Sequence, residues 1–493
     1  MNTESWAPEI ARHIDRIVGL GADYVDARHY LQDDAETLVL YDGNLEVNDT
    51  ASEGGVGVRA LVGGAWGFAA TSDMDALGAC FDQALANART AALLMAAPLS
   101  MGRLPAHRGA YTSPVTVDPF SVSPADKLAF LHAIDQSLRA DWIDRRFLTV
   151  QLQRRRVRFA SSEGTVIDKD LTNAFATMAV MALDGDRRMQ RRSHGLYTTG
   201  DGTRGWEMVT QPELFSSHAE RIKSELAELI KAPALQPGNR SVILLPGQGF
   251  LQVHETIGHA LELDRILGYE LSYAGGSFVR LDDFGRLRYG SDKLTVSSYG
   301  GIANSPGTFG YDDDGSPERD YLLIDRGLLV DALSSRTGIH EANARAGRTV
   351  FRESGGAARA TAFYRAPIDR MTNVNILPGR DGSLEDIVAS TADGIVVDNP
   401  TSWSIGSNRE HFHFGCEIAW EVKDGRRTRV LKDPTYQGHT LDFYRSLSAV
   451  GDASTWRLEQ VNNCGKGEPN QIMQLGHGVP VVRFDDVITG GRG

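Results

Sequence analysis

Two histidines and a glutamate grouped in His254-Glu255-Thr256-Ile257-Gly258-His259 are the residues of this chain whose types and spacing suit hydrolytic chemistry. Two imidazoles can hold a borderline divalent ion such as zinc, and a carboxylate beside the first can take a proton from water that the ion has acidified. Zinc lowers the pKa of bound water to roughly 7 and also polarises a carbonyl, which together is what amide hydrolysis at neutral pH requires. The separation of five is unusual. In the common zinc-protease helix the ligands stand at i and i+4 on one face. Five steps of a regular α-helix, at about 100° each, leave two side chains roughly 140° apart. The spacing therefore predicts a single widened i to i+5 turn, a π-bulge, of the kind that recurs at functional sites. Gly258 is the residue most tolerant of such a distortion.

A third ligand has several candidates: Cys464, Glu262, His411, His413 and His477. Glu262 stands three residues after His259, where it could ligate or orient a ligand. Cys464 sits in Val461-Asn462-Asn463-Cys464-Gly465-Lys466-Gly467, a glycine-flanked loop in which a thiol can approach an ion closely. A thiolate with two imidazoles favours zinc over calcium or magnesium. Three protein ligands leave one position for water or substrate, whereas a fourth, from His413 or His477, would close the site and make it structural.

The elements that must position these groups span 493 residues, too many for one core, so two or more domains are expected. The formal charge of -13 argues against generic nucleic-acid or anionic-membrane binding. No apolar run approaches a membrane span, and Met1-Asn2-Thr3-Glu4-Ser5-Trp6-Ala7 lacks the basic start and apolar centre of an export signal, so a cytoplasmic location is expected. Three scattered cysteines, Cys80, Cys416 and Cys464, do not form a disulfide framework.

Along the chain, residues 5–20 have apolar positions at helical spacing. Residues 24–31, 36–41, 56–62 and 66–70 read as an antiparallel meander, with hairpin turns at Asp42-Gly43 and Gly63-Gly64. Long helices are expected over 74–95, 123–140 and 211–231, with three or four strands over 147–196. Residues 232–239 read as a linker, dividing the chain into an amino-terminal unit, 1–231, and a carboxy-terminal unit, 240–493. The second opens with the strand 241–245, which turns into the His-Glu segment, and continues as largely antiparallel β structure. Asp325-Arg326-Gly327 signals a further hairpin, and residues 383–389 a short capped helix. Tyr311-Asp312-Asp313-Asp314-Gly315 lacks the glycine position and the bidentate glutamate of an EF-hand and is expected to be a turn with exposed carboxylates. The arginine clusters at 154–158 and 187–192 lie in sheet-like context without interleaved aromatics, so solvated strand faces or a subunit interface are expected rather than nucleic-acid contacts.

The chain resembles the TldD/PmbA (TldD/TldE) proteins over almost its full length. The resemblance is carried by Gly55-Val56-Gly57-Val58-Arg59, Ala65-Trp66-Gly67-Phe68-Ala69, the run from His254 to Asp264, Gly307 to Gly315, Arg370-Met371-Thr372-Asn373 with Leu377-Pro378-Gly379, and Cys464-Gly465-Lys466. It implies an α+β fold and the metal-bearing, TldD-like branch, because PmbA/TldE-like partners lack the histidine pair. It further implies a Zn2+-dependent intracellular peptidase that trims or degrades unfolded peptides, such as leader segments. By position His254, His259 and Cys464 take the ligand roles, and Glu255 that of general base. Tyr311, Asp312, His411 and His413 are candidate substrate contacts, and a TldE/PmbA-like subunit or a second copy of the chain is the expected partner. Two segments depart from the family wording: residues 402–413, unusually rich in aromatics and histidine, and residues 468–474. A non-catalytic metal-binding or regulatory subunit is the alternative reading.

Overall fold

The computed structural model describes residues 6–95 and 98–491. The fold is α+β. In the amino-terminal part a twisted sheet is built from long strands lying side by side in the order Ala65–Thr71, Asn44–Val62, Tyr24–Tyr41, Arg145–Ser161 and Val166–Leu183, each antiparallel to the next. Met189–Gly195 pairs antiparallel and Arg108–Thr112 parallel with different stretches of the last of these. Both expected hairpin turns are present. Asp42-Gly43 has φ of 52° and 80° and Gly63-Gly64 has φ of 54° and 78°, the left-handed pair that matches strand twist in a two-residue loop. The two short strands expected over 24–41 are one strand, carried past its polar centre by a register shift between Tyr30 and Asp33.

Two pairs of helices cover the two ends of these strands. Trp6–Gly19 and Leu77–Ala92 bury Ile10, Ile14, Phe81 and Ala84 against Val25, Val56 and Val58. Pro124–Leu138, capped by Ser123, and Ala219–Leu229 bury Leu131, Ile134, Ile222 and Leu226 against Leu38, Leu148 and Met178. The helix expected from residue 211 starts only at Ala219. Pro212 instead closes a turn whose carbonyl accepts the N–H groups of Phe215 and Ser217.

The carboxy-terminal part centres on a second sheet, with the order Asp393–Ile405, Gly238–Leu244, Val482–Gly491, Pro434–His439 and His411–Lys423. Asp393–Ile405 pairs again with His411–Lys423, so these five strands close into a ring, with Arg426–Leu431 and Leu447–Val450 pairing outside it. Its pairings are antiparallel except between Asp393–Ile405 and Gly238–Leu244. Gly238–Leu244 feeds the helix Pro246–Val253, which has proline in its first turn, where no backbone N–H is needed. A three-stranded sheet, Gln471–Val479, Arg457–Lys466 and Tyr197–Thr198, lies against the same helix. This hairpin brings Cys464 and His477 to the His-Glu segment.

Where the halves meet, the linker is held in place and one expectation, of exposed carboxylates, is corrected. The segment read as a linker is fastened down: Leu235 is buried, and its N–H donates to Lys432 C=O at 3.0 Å. The carboxylates of the 311–315 turn are buried, because each finds a partner. Asp312 accepts the N–H groups of Asp314, Ser316 and Ala358, Asp313 pairs with Lys169 at 2.8 Å, and Asp314 pairs with Arg59 at 2.7 Å. The arginine clusters keep a solvated side, with Arg156, Arg187 and Arg188 exposed, while most of their charges are met within the molecule. Arg154 and Arg156 share Asp170, Arg155 takes Asp33, Arg158 takes Asp168, and Arg192, fully buried, meets Glu225, Asp398 and Glu417.

Candidate metal centre

The helix Pro246–Val253 widens at its carboxyl end into a π-helical turn, His254–Gly258, where the His259 N–H donates to the His254 carbonyl five residues earlier. A 3₁₀ turn, His259–Leu261, follows. Widening frees carbonyls that a regular helix would satisfy, and an unpaired buried carbonyl is costly. The sequence supplies partners for them. Tyr289 donates its hydroxyl to Thr256 C=O, Ser277 Oγ donates to Ala260 C=O at 2.7 Å, and Leu333 N–H donates to Leu261 C=O at 2.8 Å. Gly258 has ordinary right-handed angles, φ −53° and ψ −63°. Its need for glycine is steric, since a Cβ there would lie 2.1 Å from Met371 Sδ.

The turn brings the two rings together, with centroids 4.6 Å apart. Cys464 arrives from the hairpin, its Sγ 3.5 Å from His259 Nε2. One ligand atom from each of His254, His259 and Cys464 lies within 4.8 Å of the others, and the three residues are 6%, 5% and 4% exposed. Such a group of donors could gather around a single small cation. Each donor is prepared by a neighbour. His259 Nδ1 lies 2.8 Å from Glu262 Oε2, so that nitrogen carries the proton and Nε2 is left with its lone pair. His254 Nδ1 meets His477 Nε2 at 2.8 Å, while His477 Nδ1–H donates to Val374 C=O at 2.9 Å. The relay fixes His477 as acceptor, His254 Nδ1 as donor and His254 Nε2 as the free lone pair. Burial lowers the pKa of His254 and of His259 and holds His477 well below the usual histidine range, keeping all three rings neutral.

Cys464 is tuned the other way. Burial pushes its thiol up, but Arg370, which donates to Sγ at 2.9 Å, and His259 outweigh it, and the pKa falls below the ordinary thiol value. Arg370 also donates to Cys464 C=O at 2.6 Å and to Gln471 C=O at 2.8 Å, fixing the hairpin that carries the sulfur. Glu262 is fully buried, yet its carboxyl is held well below the usual range: Lys466, His259 and Arg265 outweigh burial. Glu255 is 7% exposed, and its Oε2 accepts from Arg409 Nη1 at 2.8 Å; Arg409 Nη2 donates to Ala274 C=O at 3.0 Å.

Of the residues singled out in the sequence, His254, Glu255, His259 and Cys464 converge, and Glu262 and His477 stand behind the histidines rather than beside the thiol as ligands. His411 and His413 lie on the exposed side of their strand, with Phe412 and Phe414 buried between and beyond them. Tyr311 packs near His107, and Asp312 is absorbed by backbone N–H groups in the 311–315 turn. Neither pair touches the cluster. Arg370, Lys466 and Arg409 went without a role in the sequence reading. The first two lie within motifs that carry the family resemblance, and Arg409 lies in the segment that departs from it.

Comparison with known proteins adds a decisive match. Residues 237–491 fit the profile described as the PmbA/TldA metallopeptidase C-terminal domain, and residues 30–88 fit domain 1 of the same family. The chain belongs to the PmbA/TldA metallopeptidase family. Among PmbA/TldA relatives, a metalloprotease of Synechocystis is 28% identical over 450 residues, covering 90% of each chain. A zinc metalloprotease TldD homolog of Saccharolobus solfataricus is 24% identical over 334 residues, 68% of each chain. Among solved structures, a Thermotoga maritima protein described as a candidate modulator of DNA gyrase superposes with TM-score 0.73 at 15% identity, covering 97% of this chain and 99% of its own. TldE from Thermococcus kodakarensis superposes with TM-score 0.71 at 16% identity, covering 98% and 99%. These structural likenesses bear on the fold. Among the described residues, no helix is long and apolar enough to cross a membrane.

Proposed function

We propose that this PmbA/TldA-family chain is a zinc-dependent peptidase acting inside the cell on unfolded or extended peptides, including leader and precursor segments. The carrying observation is the convergence of His254, His259 and Cys464 on one point, with the Glu255 carboxylate on the turn that supplies both imidazoles. The donor chemistry fits zinc: two neutral imidazoles with free Nε2 lone pairs and a thiol of lowered pKa form a borderline-to-soft set. When bound, such an ion supplies Lewis acidity toward water and toward the scissile carbonyl.

The remaining steps belong to the side chains. Glu255 takes a proton from the attacking water and returns it to the leaving amine. Arg409 keeps that carboxylate aimed, and Glu262 and His477 hold the rings in the tautomers that leave Nε2 available. Burial of the cluster excludes bulk water and strengthens each of these interactions. A sequence-tolerant grip on extended chains comes from backbone pairing at a strand edge, and Ala65–Thr71 lies at one edge of its sheet. A TldE/PmbA-like subunit or a second copy of the chain would enclose the site, restricting entry to unfolded segments.

The alternative of a closed structural metal site required His413 or His477 as a fourth donor. Both nitrogens of His477 are engaged, and His413 lies on an exposed strand face, so support falls on the open, catalytic reading. The test is Glu255→Gln. It should bind one zinc per chain like the parent while peptide turnover falls by about 10²- to 10⁴-fold, the usual contribution of a general base. Turnover equal to the parent's would refute the mechanism.

A further inference from the structure

Across the Lys466 ammonium from the metal cluster lies a cavity of about 630 Å3. Trp66 and Phe68 of the edge strand Ala65–Thr71, with Tyr269 and Tyr364, give it aromatic walls, and Asp264, Glu270 and Asp369 give it an acidic side. Lys466 links it to the site, its Nζ lying 2.6 Å from Asp264 Oδ1 and 3.4 Å from Glu262 Oε2, the oxygen that orients His259.

The acids are unequally matched. Asp314, on the same wall, is paired with Arg59 at 2.7 Å, and Asp264 has Lys466. Asp369, 3% exposed, accepts the Ser335 N–H at 2.8 Å on Oδ1, but its Oδ2 is buried and has no hydrogen-bond partner. Glu270, 6% exposed, accepts the Gly467 N–H at 3.1 Å and forms no ion pair among the described residues. The cations lining the cavity do not serve them: Arg59 is held by Asp26 and Asp314, and the Arg365 guanidinium stacks on Tyr364, 5.4 Å from its centroid. Burial, with Asp264 adding to it, pushes the Asp369 carboxyl up to about 8. The Lys466 ammonium beside Asp369 donates to its backbone carbonyl and is shared by Asp264 and Glu262; a further cation entering beside Asp369 would draw its raised carboxyl back to the carboxylate. Aromatic walls around an acidic end suit a positive group on an aliphatic stem.

We propose that this cavity is a subsite for an alkylammonium group of a peptide, supplied by a lysine side chain or by the peptide's amino terminus. It deepens the peptidase reading above and rests on it for the identity of the ligand as a peptide. The adjoining strand edge at Trp66–Phe68 would hold the same extended chain by backbone pairing.

Calorimetric titration of the full-length Glu255→Gln protein tests the subsite without depending on turnover. Three probes separate the sources: N-acetyl-lysine amide carries only a side-chain amine, norleucine amide only a terminal amine, and N-acetyl-norleucine amide neither. At least one of the first two should bind 10-fold or more tightly than the third, and Asp369→Asn and Glu270→Gln should each erase that difference. Equal binding of all three probes, or a preference that survives both substitutions, overturns the subsite. In a parallel digest by the parent protein, absence of cleavage of any peptide would count against the peptidase reading while leaving the titration to decide the subsite.

Discussion

At the scale of single residues, the centre consists of three donors and the groups that hold them. Glu262 and His477 fix which nitrogen of each imidazole is free. Loss of such an orienting partner typically weakens metal binding 10- to 100-fold. Glu262→Gln and His477→Phe should therefore each lower zinc affinity by about that factor in a competition titration with a chromogenic chelator; unchanged affinity would show that the rings are held by packing alone. Arg409→Met removes the only ion pair of Glu255 among the described residues. It should leave zinc content intact and reduce kcat by about 10-fold, through a carboxylate no longer held in place. The histidines and the glutamate were legible in the sequence because their chemistry is local. The long-range partners were not: Arg370, Arg409 and His477, the last read only as a candidate donor, lie between 94 and 223 positions from the residues they serve, and nothing in a one-dimensional spacing marks such pairs.

At the scale of elements, the centre depends on one widened turn. Its existence was legible from spacing, since two imidazoles five residues apart share a face only if the helix loosens. The reason for Gly258 was not. A positive or strained backbone would have been a local property, but the observed constraint is the Met371 sulfur packed against its Cα from a loop more than a hundred residues away. Gly258→Ala should accordingly cost about 1–3 kcal/mol by overpacking, measured by denaturant unfolding of the metal-free protein. Combining it with Met371→Ala should recover part of that loss, and no recovery would place the constraint elsewhere. Strand and hairpin signals with left-handed turn residues, Asp42-Gly43 among them, gave the amino-terminal meander directly. The helix expected from residue 211 was overestimated because its amphipathic spacing continues through a turn that Pro212 organises.

At the scale of the whole molecule, the sequence indicated an α+β chain but not how its halves engage. Exposed carboxylates at Asp312, Asp313 and Asp314 were the natural reading of that segment alone. Joined, Asp313 with Lys169 and Asp314 with Arg59 neutralise one another across the halves. The fold also buries histidines as neutral rings, and these add to the acid sensitivity that its paired carboxylates bring. His29, 8% exposed, has its pKa lowered from 6.5 to about 4 by burial, with Arg158 adding to it. A depressed folded value means that the contribution of the neutral ring is fully present above pH 6.5 and is lost as pH falls through 6.5 toward 4. By linkage the loss from this residue amounts to about 3 kcal/mol at the acid end. His29→Phe should match the parent's unfolding free energy at pH 7.5 more closely than at pH 4.5, where it should be about 2 kcal/mol the more stable relative to that baseline; parallel pH profiles would contradict it. The most direct test of the account as a whole is zinc content and cleavage of an unfolded peptide library measured on the same preparations of parent, Glu255→Gln and Cys464→Ala proteins. The account predicts one zinc per chain and chelator-sensitive cleavage for the parent, zinc without cleavage for Glu255→Gln, and neither for Cys464→Ala. Full zinc binding by Cys464→Ala, or undiminished cleavage by Glu255→Gln, would contradict it.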